Sequence, residues 1–446
     1  MYANPPTLSR FYQHLLTRDS PFMLRRNGAP PQWSDAMLHQ SAYQQYPELY
    51  ALFSLADAVQ PWQRVRILFQ LLQASRCGIA PEVRRTLSRV TDFLLKSLPA
   101  DHILTVFLAL RRVRANHKHT TRAILAYIFN HPQLLSMANC RRRALVDSLE
   151  HALGKNTARG CAKMLSTPEI ADSAYLHRSL LRFAQNPELV KQIVPQLYKK
   201  GSPHLGNSEY QLVHTPYPEP KERPTTVTAT NRGDISATLV HLYRGGTSTA
   251  LQPALERYVT DAANSLPQFK GKLAIILDAS ASTQGYGSRE YCCISQSVAL
   301  KLVLEQCCSN RQIYAVGGSG SIPQPNGNTD LASALVDALE NQPDVVAIIS
   351  DGYENHYSGD LARVAATLPQ LGIETPVVFC HSKFTNKDDL SWRQPTPVLP
   401  QLEFWHQDDF ESLLMSLFSQ ANPSLSEPCL REFLLKKLER VRGIKQ

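Results

Sequence analysis

The hydrophobic pattern divides the chain into a helical part followed by an α/β part. Between residues 61 and 200, apolar side chains recur at the three- and four-residue spacing of amphipathic helices, as in Leu87, Val90 and Leu94. Between residues 270 and 420, short continuous apolar runs alternate with helical patterns. These two hydrophobic patterns predict α-helical repeats in the first part of the chain and a mixed α/β domain in the second.

Proline marks the predicted helix starts. A proline at the first helical position, followed by an acidic residue, suits both the geometry and the dipole of a helix. Three such starts are Ala80-Pro81-Glu82, Thr167-Pro168-Glu169 and Asn186-Pro187-Glu188. Breaks near Pro61, Pro81 and Pro99 are about twenty residues apart, which is the spacing of paired-helix, HEAT-like repeats.

The alternation of apolar runs and helical patterns between residues 270 and 420 predicts a doubly wound, Rossmann-like sheet. The run LAIIL at 273–277 is apolar throughout, as expected for a parallel strand that is buried on both faces. Further strands are predicted at 312–316, 345–350 and 375–379, with helices at 288–308, 330–341 and 359–371.

The predicted domain boundaries follow changes in composition. We expect a basic helical repeat domain over 1–200 and a Pro-rich connection with little regular structure over 201–250. The α/β domain is expected over 251–422, and a basic, amphipathic C-terminal helix over 423–446.

The amino-acid composition excludes several classes of protein as expectations for this chain. The chain of 446 residues has no apolar run of about 18 residues, so we expect no membrane-spanning helix. Its N-terminus lacks the charged start and apolar block of a secretory signal. The nine cysteines are scattered without metal-ligand spacing, so zinc and a disulfide framework are not expected. This pattern is typical of a reduced, cytoplasmic protein.

Charge is distributed unevenly over the net +9 of the chain. Residues 1–200 contain 27 Lys and Arg against 12 Asp and Glu, whereas residues 201–446 contain 20 against 26. The segment 102–146 contains no acidic residue, and its basic residues cluster at 111–122 and 141–143. A field of one sign at this density favours a polyanionic partner.

The candidate chemistry lies at the end of the first strand of the α/β domain. Asp278, Ser280 and Ser282 form a DxSxS motif directly after LAIIL. Thr329 and Asp351 stand at neighbouring loop and strand ends, where ligand sites of open α/β sheets form. Carboxylate and hydroxyl oxygens are the ligands that Mg2+ prefers. The pattern therefore predicts a site for magnesium or manganese.

These residues resemble the von Willebrand A domain and its metal-ion-dependent adhesion site, over about residues 270–420. The resemblance implies that Ser280, Ser282 and Thr329 bind the ion directly. Asp278 and Asp351 would then act largely through water molecules. An open coordination position would accept a carboxylate from a protein partner.

Enzymatic alternatives fit the same strand less well. A haloacid-dehalogenase-like phosphatase needs a second Asp where Ser280 stands. A dinucleotide fingerprint at Gly285-Tyr286-Gly287 lacks its third glycine, which is replaced by Glu290. Neither a GxSxG elbow nor a P-loop occurs in the chain. We therefore expect a binding module and not an enzyme.

The order of the parts resembles the Ro autoantigen (TROVE) family, in which helical repeats precede a von Willebrand A domain. The stretch PALERYVTDAANSLPQFKGKLAIILDASAST at 253–283 and the loop at 328–330 carry the likeness. The resemblance implies a ring of repeats that the A domain closes. This ring would bind small non-coding or misfolded RNA and single-stranded RNA ends. The candidate RNA contacts are Arg111, Arg112, Arg114, His117, Lys118, His119, Arg122, Arg141, Arg142 and Arg143.

A second hypothesis comes from a different class of protein. The A domain would serve a metal-dependent protein-interaction adaptor that binds no RNA. Such an adaptor would work beside an ATPase or in a stress or defence operon. The charge pattern favours the RNA-binding hypothesis, while the DxSxS motif is compatible with both.

Overall fold

The computed structural model divides the chain into two compact units. The sheet unit consists of Met1–Gln13, Leu55–Ala58 and Lys221–Gln446, and the helical unit consists of His14–Ser54 and Val59–Pro220. The structure describes residues 7–24, 28–167, 172–199, 234–246, 250–285, 290–354, 356–385, 387–388, 390 and 393–443.

The helical unit is built from helices that pack on the next helix but one. Contacts of this kind join α3 to α5, α4 to α6, α7 to α9 and α10 to α12. The order fits stacked helix pairs, whereas the assignment to HEAT-like repeats stays a prediction. The helices are α2 (Ala36–Gln45), α3 (Pro47–Leu52), α4 (Pro61–Gln73), α5 (Pro81–Ser97), α6 (Ala100–Arg112), α7 (Lys118–Asn130), α8 (Leu134–Cys140), α9 (Arg142–Leu153), α10 (Lys155–Ser166), α11 (Ser173–Ser179) and α12 (Pro187–Tyr198).

The predicted helix starts and apolar stripes are found in this unit. Pro61, Pro81 and Pro187 are the first residues of α4, α5 and α12, while Pro168 lies outside the described residues. Leu87 and the other apolar residues of its stripe are buried, and burial contributes about 1.5–3 kcal/mol for each large aliphatic side chain. The prediction of a helical first part is confirmed.

The sheet unit contains five strands that all run parallel in the order β2-β1-β3-β4-β5. The order reverses direction at β1, so a crevice opens at the carboxyl ends of β1 and β3. The strands are β1 (Phe269–Ala279), β2 (Cys308–Gly317), β3 (Val345–Ser350), β4 (Val377–Ser382) and β5 (Gln401–Phe404).

Helices cover both faces of this sheet. Successive side chains of a strand point to opposite faces, so Leu273 and Ile275 of β1 enter one core while Ala274 and Ile276 enter the other. The helices assigned to this unit are α1 (Thr7–Thr17, counted up to Gln13), α13 (Ile235–Tyr243), α14 (Leu251–Ala263), α15 (Cys292–Cys307), α16 (Leu331–Glu340), α17 (Asp360–Thr367), α18 (Phe410–Phe418) and α19 (Pro423–Gly443). The parallel sheet and the α/β class are confirmed, whereas the von Willebrand A assignment stays a prediction.

The first residues of the chain belong to the sheet unit and not to the predicted domain 1–200. Phe11 and Tyr12 are fully buried. The Tyr12 hydroxyl donates to Met415 Sδ at 3.6 Å, and Gln420 Nε2 donates to Ser9 Oγ at 2.6 Å. These contacts join residues more than 400 positions apart, so no local pattern could indicate them.

The predicted connection 201–250 contains a helix, so the expectation of little regular structure was wrong for its second half. Asp234 caps α13 by accepting a hydrogen bond from the Ala237 amide at 3.1 Å. Ile235 and Leu239 of α13 are fully buried among the apolar side chains of the sheet unit. The stretches 201–233 and 247–249 lie outside the described residues.

The predicted C-terminal helix 423–446 is part of the sheet unit and not a separate element. It corresponds to α19, which contacts β1 and α18. Leu430 and Leu434 are fully buried, and Lys437 Nζ lies 2.6 Å from Glu411 Oε1 on α18. Its basic residues therefore flank an apolar face that is already covered.

Two further properties agree with the composition. Among the described residues, no helix combines the length and hydropathy needed to cross a bilayer. All nine cysteines are free thiols: Cys77 is exposed, Cys140 is half-buried and the other seven are buried.

The helix α6 ends in a left-handed turn that an arginine occupies. Arg114 has φ of +56°, and the next amide, that of Ala115, donates to the Leu110 carbonyl at 3.0 Å. This is the hydrogen-bonding pattern of a helix C-cap in which glycine is the usual residue. A side chain with a Cβ atom costs free energy in this backbone region.

We expect Arg114→Gly to raise the free energy of unfolding by about 1 kcal/mol, because glycine adopts positive φ without strain. Chemical denaturation of the full chain measures the change. Arg114→Ala is the control, since it removes the charge and keeps the Cβ atom. Equal stability of the two variants would contradict the proposed strain.

Candidate functional site

The crevice at the carboxyl ends of β1 and β3 holds the first of the predicted metal ligands. Asp278 is fully buried, and its Oδ1 accepts the Ser280 amide at 3.0 Å. Its Oδ2 accepts the Ser350 hydroxyl, at the end of β3, at 2.6 Å. The carboxylate is therefore fixed between the two central strands.

Three hydroxyls lie beside this carboxylate. Ser280 Oγ is 3.1 Å from Ser282 Oγ, and the Thr329 hydroxyl donates to Ser280 Oγ at 2.7 Å. Ser280 and Thr329 are fully buried, although 49 positions separate them. The loop before α16 thus brings Thr329 to the DxSxS motif, as the sequence predicts.

Asp351 is the fifth of the predicted metal ligands. Its Oδ1 accepts the Tyr353 amide at 3.0 Å. Its Oδ2 is buried and has no hydrogen-bond partner among the described residues, although the Ser282 hydroxyl is close enough to lower its pKa. Burial, followed by the negative charge of Asp278, raises the pKa of Asp351 to about 7. Burial also raises the pKa of Asp278.

This donor set fits a hard divalent cation. Neither of the two buried carboxylates forms an ion pair among the described residues, although the nearby charge of Arg393 lowers the pKa of Asp351. Buried carboxylates with raised pKa values favour a bound cation. Side-chain oxygens are the ligands that Mg2+ and Mn2+ take. The five residues that would hold the ion are Asp278, Ser280, Ser282, Thr329 and Asp351.

The backbone of Asp351 is held by residues that sequence reasoning missed. Its carbonyl accepts two hydrogen bonds, one from His381 Nε2 at 2.8 Å and one from Arg393 Nη1 at 2.9 Å. Gly352 follows with φ of +88°, and a Cβ atom there would lie 2.1 Å from the Arg393 carbonyl oxygen. His381 is the next-to-last residue of β4, and the predicted strand 375–379 stops short of it.

The basic candidates form a second site, in the helical unit. An open pocket of about 810 Å³ lies where the end of α6 meets the start of α9. Two basic segments that the sequence shows separately converge there. The arginines that line the pocket are Arg111, Arg112, Arg141, Arg142 and Arg143.

Most of these arginines have acceptors within the unit. Arg111 Nη1 lies 2.8 Å from Asp147 Oδ2, and Arg112 Nη1 donates to the Ala29 carbonyl at 3.1 Å. Arg142 donates to the carbonyls of Leu197 and Lys199. The exposed Arg143 side chain has no hydrogen-bonding or ionic partner among the described residues.

The remaining RNA candidates do not line this pocket. They are Arg114, His117, Lys118, His119 and Arg122. The rings of His117 and His119 stack on each other, with centroids 5.5 Å apart and planes 4° apart. Burial, with smaller effects of Arg76 and His117, lowers the pKa of His119 to about 4, so His119 is neutral at pH 7.

A third cluster, in the helical unit, has metal-ligating residues but no vacancy for an ion. Ligand atoms of His14, Asp35 and His39 lie within 4.8 Å of one another. His14 Nε2 lies 2.7 Å from Asp35 Oδ2, and the Arg66 guanidinium lies 3.0 Å from Asp35 Oδ1. A cation beside the carboxylate therefore already exists, and the cluster is better described as a buried hydrogen-bond network.

His39 is neutral within this network. The Tyr50 hydroxyl lies 2.9 Å from its Nδ1, and Gln63 Oε1 lies 2.8 Å from its Nε2. Gln63 Nε2 donates to Asp35, so Gln63 Oε1 accepts the His39 Nε2 proton. Burial lowers the pKa of His39 to about 4, against the opposing charge of Asp35.

The chain therefore combines a helical unit with an α/β unit. The sheet of the α/β unit carries a cluster of carboxylates and hydroxyls at the carboxyl ends of β1 and β3, where the strand order reverses. No protein-family model and no curated protein matches the sequence. Among solved structures, the chain is similar to the Ro (RSR) protein of Deinococcus radiodurans. The identity is 11%, the match covers 93% of this chain and 99% of that chain, and the TM-score is 0.38. A likeness of this degree does not establish a common fold.

We expect protonation of His39 to oppose folding as the pH falls. Its pKa is about 4 when folded and 6.5 in the absence of burial, so between these values the unfolded chain binds the extra proton. The free energy of unfolding then falls by about 1.4 kcal/mol for each pH unit below 6.5. His39→Gln should flatten this dependence in urea denaturation. A His39 ring signal that titrates near pH 6.5 by NMR would refute the assignment.

Proposed function

We propose that this protein is a non-enzymatic RNA-binding protein of Ro-like organisation, in which the arginine pocket contacts RNA phosphates. The observation that carries the proposal is the convergence of five arginines from two separate segments on one open pocket. Guanidinium groups offer planar pairs of donors that match phosphate oxygens. The positive excess of residues 1–200 attracts a polyanion over a longer range.

The charges in the pocket favour a polyanion over an acidic protein. Asp147 is the acidic residue in its lining, so positive charge exceeds negative charge there. Arg143 is exposed and available for a new contact. Small non-coding or misfolded RNA is the partner that the family resemblance favours, in a reducing compartment such as the cytoplasm.

The sheet unit would add a metal-dependent protein contact. Asp278, Ser280, Ser282, Thr329 and Asp351 would hold Mg2+ or Mn2+, and a carboxylate of a protein partner would complete the coordination. The Oδ2 atom of Asp351 is buried and has no hydrogen-bond partner among the described residues, which supports this part of the proposal. The same observation favours the second candidate function, a metal-dependent protein-interaction adaptor without RNA.

RNA binding should depend steeply on salt. Replacing Arg111, Arg112 and Arg143 together by Gln removes three phosphate contacts, so the slope of log affinity against log salt should fall by about 2–3. Fluorescence anisotropy with a small structured RNA and with a single-stranded RNA measures both slopes.

The matched control removes the same charge from another part of the helical unit. Arg84, Arg85 and Lys96 are exposed residues of α5, and their joint replacement by Gln leaves the pocket intact. We expect this variant to keep nearly the wild-type slope. Wild-type protein that binds no RNA at low salt would refute the RNA-binding proposal and leave the adaptor.

The cation should stabilise the sheet unit by mass action. We expect millimolar Mg2+ or Mn2+ to raise the melting temperature of the wild type, and Asp278→Ala or Asp351→Asn to abolish the rise. Because the ion needs an ionised carboxylate, the rise should shrink as the pH falls below about 7, the pKa of Asp351.

Asp337→Asn is the control for this experiment. Asp337 is an exposed acidic residue of α16, so its replacement changes the net charge equally and leaves the site alone. A wild-type protein whose melting temperature ignores both ions would show that the site does not bind them. A soaked crystal without density between Asp278 and Thr329 would give the same answer.

A further inference from the structure

Arg141, which lines the arginine pocket, is held by Asp101, an acidic residue that does not line the pocket. Arg141 Nε donates to Asp101 Oδ1 at 2.7 Å, and Arg141 Nη2 donates to Asp101 Oδ2 at 3.0 Å. This is the two-bond fork that fixes both the plane and the direction of a guanidinium. Asp101 is in the first turn of α6, and Arg141 is the residue before α9.

The donors of Arg141 are only partly used. A guanidinium has five N–H groups. Two of them bind Asp101, and a third, on Nη1, donates to the Cys140 carbonyl at 3.1 Å. Two donors therefore have no acceptor among the described residues, and they lie on a group whose orientation is already fixed, at the edge of an open pocket.

The attraction between the two charges of this ion pair contributes little to stability. The side chains of Arg141 and Asp101 are 45% and 35% exposed. Ion pairs at that exposure contribute little to folding, because water screens the attraction and ordering both side chains costs entropy. The Asp101 carboxylate also suits the dipole of α6, but its charge weakens the attraction of the pocket for anions.

We propose that Asp101 is a positioning residue, which holds Arg141 so that its two remaining N–H donors meet one phosphate group of a bound RNA. Asp147 likewise forms an ion pair with Arg111, whose Nη1 lies 2.8 Å from Asp147 Oδ2. The inference rests on the proposed RNA-binding function. Asp101 is the cleaner test, because Asp147 also lines the pocket and its charge acts directly on a ligand.

The two possible roles of Asp101 predict opposite signs. Asp101→Asn makes the protein more positive by one charge. If Asp101 only contributes its charge, the variant binds RNA more tightly and with a steeper dependence on salt. If Asp101 positions Arg141, the variant loses a preorganised phosphate contact and binds more weakly.

The experiment measures RNA affinity against salt for the full chain. We expect Asp101→Asn to bind about tenfold more weakly at low salt, as for one lost charge-assisted hydrogen bond, and its salt slope to fall by about 0.7–0.9. Glu188→Gln is the charge-matched control, since Glu188 is exposed and pairs with Lys191 on α12. It should bind as tightly as the wild type or slightly more tightly.

A double-mutant cycle tests whether Asp101 acts through Arg141. Arg141→Lys keeps the charge but loses the fork, so it should weaken binding as Asp101→Asn does. Adding Arg141→Lys to Asp101→Asn should then cost little more, because both changes remove one contact. Fully additive losses would overturn the inference. Asp101→Glu, which retains the carboxylate, should recover part of the affinity, and circular dichroism melting confirms that each variant is folded.

Inorganic pyrophosphate, measured by calorimetry, separates this inference from the proposed function. Wild type that binds RNA, with Asp101→Asn binding equally well or better, overturns the positioning role alone. Wild type that binds pyrophosphate but not RNA, with Asp101→Asn binding pyrophosphate more weakly, supports the positioning role and overturns the RNA-binding function. Wild type that binds neither probe overturns both.

Discussion

Two carboxylates buried side by side at the ends of β1 and β3 set the main constraint on the sheet unit. A buried negative charge is costly unless hydrogen bonds or a positive charge compensate it. Ser350 and the Ser280 amide compensate Asp278. Asp351 receives one amide on its side chain, while His381 and Arg393 bind its backbone carbonyl and not its carboxylate. The negative charge that remains is the basis of the proposed cation site.

The sequence predicts the candidate ligands of this site better than the residues that hold them in place. Asp278 and Asp351 could be found because each follows a continuous apolar run, and parallel strands end at one edge of the sheet. Thr329 could be found because it precedes a helix. The roles of His381 and Arg393 could not be predicted, since they depend on which loops meet above β3. The strand order, which places Asp278 beside Asp351, is likewise a property of the whole sheet.

The unit boundaries show a second limit of local patterns. The helical stripes were predicted correctly because burial within one helix repeats at a fixed spacing. The assignment of residues 1–13 to the sheet unit depends on contacts between Ser9 and Gln420, and between Tyr12 and Met415. The basic segments present the same difficulty. Their charge is visible in the sequence, but whether two of them share a pocket depends on how α6 and α9 pack.

The burial of seven thiols has a practical consequence for handling the protein. Burial raises the pKa of Cys307, Cys380 and Cys429 to about 12. The thiolate is the reactive form, so these side chains resist alkylation and oxidation while the fold is closed. On the helical unit, Cys77 is exposed, and half-buried Cys140 lines the arginine pocket, so replacing Cys140 would leave Cys77 as the attachment point for a single fluorophore. The buried thiols of the sheet unit would become labelled only when that unit opens, so mass spectrometry of labelled protein would time its opening.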